Sequence, residues 1–429
     1  MFAATTSSKL VKNTTYKVVI PFYVYAALSF LFATILLFFS TNAFTQHYFH
    51  PRTLAITHTM ALGWGTMIIL GASHQLVPVL IESKLFSNFL AYLSFILAAA
   101  GIPLLVYSFF NFQFNLTAQT GAALINAAIV AYLINIAASI LKSKTENVHA
   151  VFVFTAAVWL LVTTLIGLLL VCNFTDSILP KDSLQYLSLH AHIGIVGWFL
   201  LLVIGVGSRL IPMFLISKYD DHRMLWLIYF LINAGLIIFI VAFFLGLPSS
   251  VYLLPIAMVL SALFLFGKFC RNAYRQRIRK QVDEQMKMSL LSVAMMLLPI
   301  VFLLVLIVLL VFSFANTKLV LAYGFSIFFG WITAIIFGMT FKTLPFIVWN
   351  KVYHDKAGLG KTPNPKDLFS TKIFNSMGIA YLTGFVFFAA GILLANTIIL
   401  QVATILLLIT AVLYNWNVLK MLMHKPLIK

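Results

Sequence analysis

A block of 21 residues occurs three times along the chain at nearly constant spacing. The copies read HTMALGWGTMIILGASHQLVP, HIGIVGWFLLLVIGVGSRLIP and FSIFFGWITAIIFGMTFKTLP, and they begin at His58, His192 and Phe325. Because the copies are 134 and 133 residues apart, we expect three internal repeats, at approximately 15–145, 146–285 and 286–429. Each copy carries a Gly-Trp pair, a second glycine and a proline at matching places, which suits one common mode of helix packing.

Composition restricts what each repeat can form. Of 429 residues, 62% are hydrophobic and 9% are charged, and the mean hydropathy is +1.04, values typical of a polytopic membrane protein. A membrane-spanning helix needs about 20 apolar residues, and the chain offers twelve such segments, four in each repeat. The sequence therefore predicts an all-α membrane protein with twelve transmembrane helices, arranged as three four-helix repeats with pseudo-threefold symmetry. The repeated blocks lie on helices two, six and ten.

The basic residues predict how these helices are oriented. Of the 28 lysines and arginines, only Arg52, Lys181 and Lys318 fall on one side of the predicted membrane. The positive-inside rule makes that side external and both termini cytoplasmic, and the expected location is a bacterial-type inner membrane. The net charge of +18 follows from this bias and suits anionic lipid headgroups, so the bilayer is an expected partner and nucleic acid is not.

Carboxylates are absent from the interior of the predicted helices. All ten acidic residues fall in loops or at helix ends, whereas proton pumps and ion-coupled transporters commonly place such groups within the membrane. The pattern disfavours carboxylate-based proton or sodium coupling. Serine, threonine and backbone carbonyl oxygens remain as alternative ion ligands.

The polar side chains left within the membrane are mainly histidines. His58 and His192 open equivalent blocks, so we expect both at the same depth near the external surface. Two neutral imidazoles from different helices can hold a haem iron inside a bundle. His190 lies two residues before His192, about 200° around a helix, and should face a different pocket. His74, near the cytoplasmic end of helix two, is a metal candidate for which a hydrogen bond to a neighbouring helix, or a position at the membrane interface, is the favoured interpretation.

Helix two, with its opening histidine, and the helix-six string HAHIGIVGWFLLLVIGVGSRLIP resemble the haem–copper oxidase subunit I superfamily. The resemblance covers the whole chain in topology and the block helices in sequence. It implies haem b, one or two per chain, with His58 and His192 as axial ligands of one iron and His190 as the ligand of a second. The chain is also similar, more loosely, to the NnrS membrane proteins, which share twelve helices, haem and an association with nitric-oxide stress.

The chain departs from the oxidase pattern at the positions that hold copper. Helix seven lacks the histidine pair that completes the copper site in that family, so copper has no full set of ligands here. Helix ten carries Tyr323 and Phe325 where the family has its His-x-His pair. These differences, with the missing carboxylates, argue against proton-pumping reduction of oxygen.

Two functions remain as hypotheses. The first is a haem-b protein that carries electrons, or that binds or reduces nitric oxide or oxygen; with turnover it would be an oxidoreductase. Its electron donor, a quinol or a cytochrome, is left open, as are partner subunits and a homo-oligomer. The second is a non-enzymatic transporter or accessory protein that handles a neutral solute, haem or copper on the same scaffold.

Overall fold

A computed structural model describes residues 14–143, 147–278, 280–354 and 362–426. These residues are almost entirely helical and contain no β-strand; one isolated antiparallel bridge joins Ser217 to Arg277. Twelve helices are long and apolar enough to cross a membrane, which confirms the predicted all-α class and the number of spans. We number them α1 Tyr16–Phe39, α2 Pro51–Leu80, α3 Asn88–Asn111, α4 Leu116–Leu141, α5 Val148–Asp176, α6 Ser183–Leu215, α7 His222–Phe244, α8 Ser249–Arg275, α9 Glu284–Val311, α10 Thr317–Tyr353, α11 Thr371–Leu394 and α12 Thr397–Leu422.

Short polar side chains start most of these helices. An asparagine, aspartate or serine just before the first turn accepts a hydrogen bond from a backbone N–H that has no partner within the helix. Such caps precede eight of the helices, at Ser87, Asn115, Asn147, Asp221, Asp283, Asn316, Ser370 and Asn396. The apolar runs therefore end at short connections with polar caps, as hydropathy alone suggests.

The three block helices form the centre of the bundle. In their most apolar stretches, 78%, 67% and 78% of the residues of α2, α6 and α10 are buried, against 17–50% for the other nine helices. The second glycine of each block, at Gly71, Gly205 and Gly338, permits this packing. A Cβ atom at any of these positions would clash with the helix that precedes the block helix, which is α1, α5 or α9 respectively.

Each block also contains a stretch of π-helix, which the sequence does not reveal. The wider turns run over Thr59–Thr66, Ile193–Leu200 and Ser326–Ile332, and each begins directly after the first residue of its block. A π-helical turn interrupts the regular rotation of side chains around a helix and is frequent at functional sites. The same local distortion thus follows His58, His192 and Phe325.

Two tryptophans of the Gly-Trp pairs link the block helices to one another. The indole Nε1 of Trp64 on α2 donates to Oγ1 of Thr333 on α10 over 3.1 Å. The indole Nε1 of Trp198 on α6 donates to Oγ1 of Thr66 on α2, also over 3.1 Å. Each bond joins the seventh residue of one block to the ninth residue of another, so the block helices meet at matching places.

Candidate functional site

A cavity of about 760 Å³ surrounds the first turns of the block helices. It extends on both sides of α6, and its walls are mainly leucine, isoleucine, valine and phenylalanine. His58, His190 and His192 all line it, together with Tyr323. No aspartate or glutamate in the described ranges reaches its surface. The structure therefore brings three of the four candidate histidines to one apolar cavity.

One ring nitrogen of each of these histidines is fixed by a backbone carbonyl. Nδ1 lies 2.9 Å from the Leu54 oxygen in His58, 3.1 Å from the Thr163 oxygen in His190 and 2.7 Å from the Ser188 oxygen in His192. A carbonyl oxygen can only accept, so in a neutral imidazole Nδ1 must carry the hydrogen. The lone pair of Nε2 is then free, which is the tautomer that binds a metal through Nε2.

The two histidines of the loop between α1 and α2 have different bonds. In the loop before α2, Nδ1 of His47 accepts from the Phe49 N–H and Nδ1 of His50 accepts from the Arg52 N–H. Their Nε2 atoms therefore carry the hydrogen in the neutral ring. Partial burial, and then the positive charge of Arg52, lower the pKa of His50. These two rings are not arranged as metal ligands.

The first half of the cavity lies between α2 and α6 and holds the closest pair of imidazoles. The rings of His58 and His190 have centres 6.3 Å apart and planes 17° from parallel. Phe109 packs against His58 with ring centres 4.4 Å apart. His190 rests on Gly167 of α5, where a Cβ atom would lie 3.0 Å from its Cε1 atom. We call this region the first lobe.

The second half lies between α6 and α10. His192 faces Tyr323 there, with ring centres 5.9 Å apart and planes 25° from parallel, and it also contacts Phe239 at 5.1 Å. We call this region the second lobe. The two-residue spacing thus directs His190 and His192 into different lobes, as expected. The imidazole beside His58 is that of His190. The ligand pair of His58 and His192, expected from the sequence and the oxidase resemblance, stays a prediction.

The third block has no polar group at the corresponding place. Phe325, which replaces the opening histidine, is stacked with Phe329, Phe385 and Phe388 at ring-centre distances of 5.1, 5.5 and 4.4 Å. Such a cluster excludes water and offers no ligand for a metal. The side chains that could bind a metal or a polar ligand in the cavity are therefore those of the first two block helices and Tyr323.

His74 lies away from the cavity. Its ring is fully buried between Phe22 and Tyr132, with ring centres 5.4 and 5.6 Å away. The Leu70 carbonyl approaches it, but neither ring nitrogen makes a hydrogen bond of normal geometry to a described residue. The interhelical hydrogen bond favoured from the sequence is thus not formed. No group of three or more histidine, cysteine or acidic side chains within the described segments could hold a bare metal ion.

Sequence reasoning missed three contributors to the site. Gly167 and the Thr163 carbonyl position His190, and neither carries a signal that a single sequence could reveal. Tyr323 and His190 each lie two residues before a block begins, and that equivalence is visible in the sequence. No family model matches the chain, and no curated protein matches it.

Proposed function

We propose that this protein is a haem-b-binding membrane protein that carries electrons, or that binds or reduces a small diatomic ligand such as nitric oxide or oxygen. One observation carries the proposal. Three imidazoles, each with Nδ1 bonded to a carbonyl and Nε2 free, face one apolar cavity inside a twelve-helix bundle. Nothing else in that cavity offers comparable affinity for a metal.

The first lobe would hold a haem through His58 and His190. It is one half of a cavity of about 760 Å³, a volume within the range of about 300–1,000 Å³ usual for cofactor sites. The ring centres of His58 and His190 lie 6.3 Å apart with their planes 17° from parallel, so two imidazoles from different helices would be available to one iron.

The protein residues have separate tasks in this proposal. His58 and His190 would hold the iron, and a bound haem would supply one-electron chemistry. The carbonyls of Leu54 and Thr163 fix the orientation of the two rings and increase their basicity. The apolar walls exclude water, and the lack of a described carboxylate in the cavity leaves no strong proton donor beside the iron. Slow reduction, scavenging or electron transfer therefore suits the site better than rapid proton-coupled turnover.

The proposed architecture is three four-helix repeats around a pseudo-threefold axis. Trp64 of the first copy bonds to Thr333 of the third, and Trp198 of the second bonds to Thr66 of the first. Thr66 and Thr333 are equivalent block positions, so the two bonds follow the same rotation from copy to copy. Leu200 has the third equivalent position and lacks a hydroxyl to continue the series.

The proposed orientation places both termini in the cytoplasm and the histidines in the external half of an inner membrane of bacterial type. It is supported by the distribution of basic residues, of which only Arg52, Lys181 and Lys318 lie at the opposite ends of the spans. An externally placed haem would then be accessible to a soluble electron donor or to one dissolved in the membrane.

The test is the absorption spectrum of the protein, purified in detergent after expression with ample haem. We expect a Soret band, a b-type pyridine haemochrome and a low-spin spectrum. His58→Ala and His190→Ala should each abolish the low-spin signal, whereas His424→Ala, whose Nε2 bonds to Tyr353 far from the cavity, should leave it unchanged. Colourless wild-type protein would refute the proposal and favour a transporter or accessory role for the cavity.

A further inference from the structure

A buried asparagine on α4 lies beside the part of α5 that holds His190. Asn126 is 7% exposed and lines the cavity together with Thr163 and Thr164 of α5. An amide is costly to place inside a membrane-spanning bundle unless its hydrogen-bonding groups find partners. Its presence here therefore needs a reason beyond the packing of two apolar helices.

Both hydrogens of the Asn126 amide are used. Nδ2 donates to the Ala122 carbonyl, one turn earlier on α4, over 2.9 Å and across the helix interface to the Thr164 carbonyl over 3.0 Å. These two neighbours can only accept hydrogen bonds, which fixes the orientation of the amide. Oδ1 is buried and has no hydrogen-bond partner in the described part of the chain. Asn126 therefore supplies a donor that ties α4 to α5.

The adjacent carbonyl of α5 holds the candidate iron ligand. Thr163 accepts from Nδ1 of His190 over 3.1 Å, and a Cβ atom on Gly167 would lie 3.0 Å from Cε1 of the same ring. Consecutive residues are about 100° apart around an α-helix, so the neighbouring carbonyls of Thr163 and Thr164 serve α6 and α4 respectively. Asn126 thus fixes the rotation of α5 at the turn against which His190 rests.

A second asparagine of α4 has a purely structural role. Asn135 is fully buried, and its Oδ1 accepts from the Ser87 N–H while its Nδ2 donates to the Ser87 carbonyl, each over 2.9 Å. On α12, Asn417 makes the same two bonds to Ser370 over 2.8 and 3.0 Å. We call this pair of bonds the asparagine clasp. The clasp belongs to the fold, because α4 and α12 both carry it.

Asn126 has no equivalent at the same level of α12. It lies nine residues before the clasp asparagine of α4, whereas the residue nine places before that of α12 is Leu408. An amide does link α12 to α1, from Nδ2 of Asn415 to the Ala27 carbonyl over 2.9 Å. Asn415 lies about two turns after Leu408, however, so that bond is made at another depth. The fold therefore accepts leucine where α4 carries Asn126.

We infer that Asn126 is a positioning residue for His190, and that through this ring it sets how firmly the protein holds the iron of a bound haem. α12 packs against α1 as α4 packs against α5, and the residue that corresponds to His190 beside α1 is the apolar Ile56. The amide thus accompanies the histidine, and Leu408 accompanies the isoleucine. The inference rests on the proposed haem function, in which His190 is an axial ligand.

Asn126→Leu, which introduces the residue found on α12, separates positioning from stability. The carbonyls of Ala122 and Thr164 keep their helical bonds and the unpaired Oδ1 is removed, so the melting temperature should change little. α5 loses its tie to α4, and the Thr163 carbonyl is no longer fixed against His190. Because the groups that orient a metal-ligating histidine contribute about 10–100-fold to metal affinity, we expect haem to leave about tenfold faster than from wild type.

Asn135→Leu is the matched control, since its amide lies on the same helix and makes no bond to α5. Breaking the clasp leaves the N–H and carbonyl of Ser87 without these partners, so the melting temperature should fall while haem leaves at the wild-type rate. Transfer of haem to apomyoglobin gives that rate in both variants.

The position of His190 can also be measured without haem, from the solid-state nitrogen NMR spectrum of the histidine-labelled apoprotein in lipid. The Nδ1 signal of His190 is identified by its loss in His190→Gln. We expect this signal to shift in Asn126→Leu, because the hydrogen bond to Thr163 changes, and to stay in place in Asn135→Leu.

The outcomes keep this inference apart from the haem proposal. Wild-type haem dissociation from Asn126→Leu would overturn it, and so would an unchanged His190 signal. Loss of haem from both asparagine variants in proportion to their melting temperatures would also overturn it, because both amides would then be structural. A His190 signal that shifts only in Asn126→Leu, when the wild-type protein binds no haem, would support the positioning role and refute the haem function.

Discussion

Gly167 offers a sharp test of the haem site, because an added side chain there would act on the His190 ring. A Cβ atom at this position would lie 3.0 Å from Cε1 of His190. Non-bonded carbon atoms prefer separations of about 3.5–4.0 Å, so Gly167→Ala should push the ring by about 0.5–1.0 Å. Thr163 lies one turn earlier on the same helix, and its carbonyl holds Nδ1 at 3.1 Å. Movement away from α5 therefore stretches that hydrogen bond beyond its normal range.

The expected consequence is weaker binding of haem rather than failure to fold. Loss of the group that orients a ligating histidine commonly costs 10–100-fold in metal affinity, or about 1.4–2.7 kcal/mol. The rate of haem transfer to apomyoglobin, followed by the Soret band, measures the change. Gly267→Ala is the matched control, since a Cβ atom there meets nothing within 4 Å. Equal haem retention in Gly167→Ala and wild type would refute the proposed role of His190.

Three further substitutions test the surrounding structure. Thr333→Val removes the acceptor of Trp64 and should lower the free energy of unfolding by about 0.5–1.5 kcal/mol, measured by thermal denaturation in detergent; no change would exclude a structural role for this bond. Phe325→His should destabilise the protein by about 1–3 kcal/mol and add no haem, since the ring enters a closed phenylalanine cluster; a gain in haem stoichiometry would contradict this. His74→Leu should keep the haem spectrum and raise or preserve the melting temperature, because it removes a buried imidazole that has no hydrogen bond. Loss of haem in this variant would show instead that His74 is a ligand.

The coarse architecture could be predicted from the sequence, because the interior of a bilayer allows an apolar segment few backbone structures. Apolar runs of about 20 residues must form helices that satisfy their own backbone, so twelve runs predict twelve spans. The three blocks also stood out as the most regular feature, and the structure places them in the most buried helices. The number and class of the elements could therefore be predicted without any contact information.

The pairing of the histidines could not be predicted, because it depends on which faces of α2, α6 and α10 meet. A helical wheel gives the angle between His190 and His192 but not the direction of either one in the bundle. The π-helical turns after His58 and His192 add a local change of rotation for which no residue in the block is a recognised signal. Small rotations of this kind decide whether His58 faces His190 or His192.

Tyr323, which stands where the second copy has His190, shows a second reason why the site could not be predicted from the sequence. The sequence shows that position 323 is equivalent to His190, but it does not show that the position faces His192 across a shared cavity. Comparison of the three copies is informative only once the contacts between copies are known. Ile56 is the first-copy equivalent of His190 and Tyr323, and its side chain, like that of Phe325, is apolar and buried.

The most direct test of the central claim is the low-temperature electron paramagnetic resonance spectrum of the oxidised, haem-loaded protein. We expect a low-spin ferric signal with two axial imidazoles in wild-type protein and in His192→Leu. The same signal should be absent from His58→Ala and from His190→Ala, since these two rings face each other at 6.3 Å. A signal that is lost in His192→Leu and retained in His190→Ala would contradict the account and assign the iron to His58 and His192 instead.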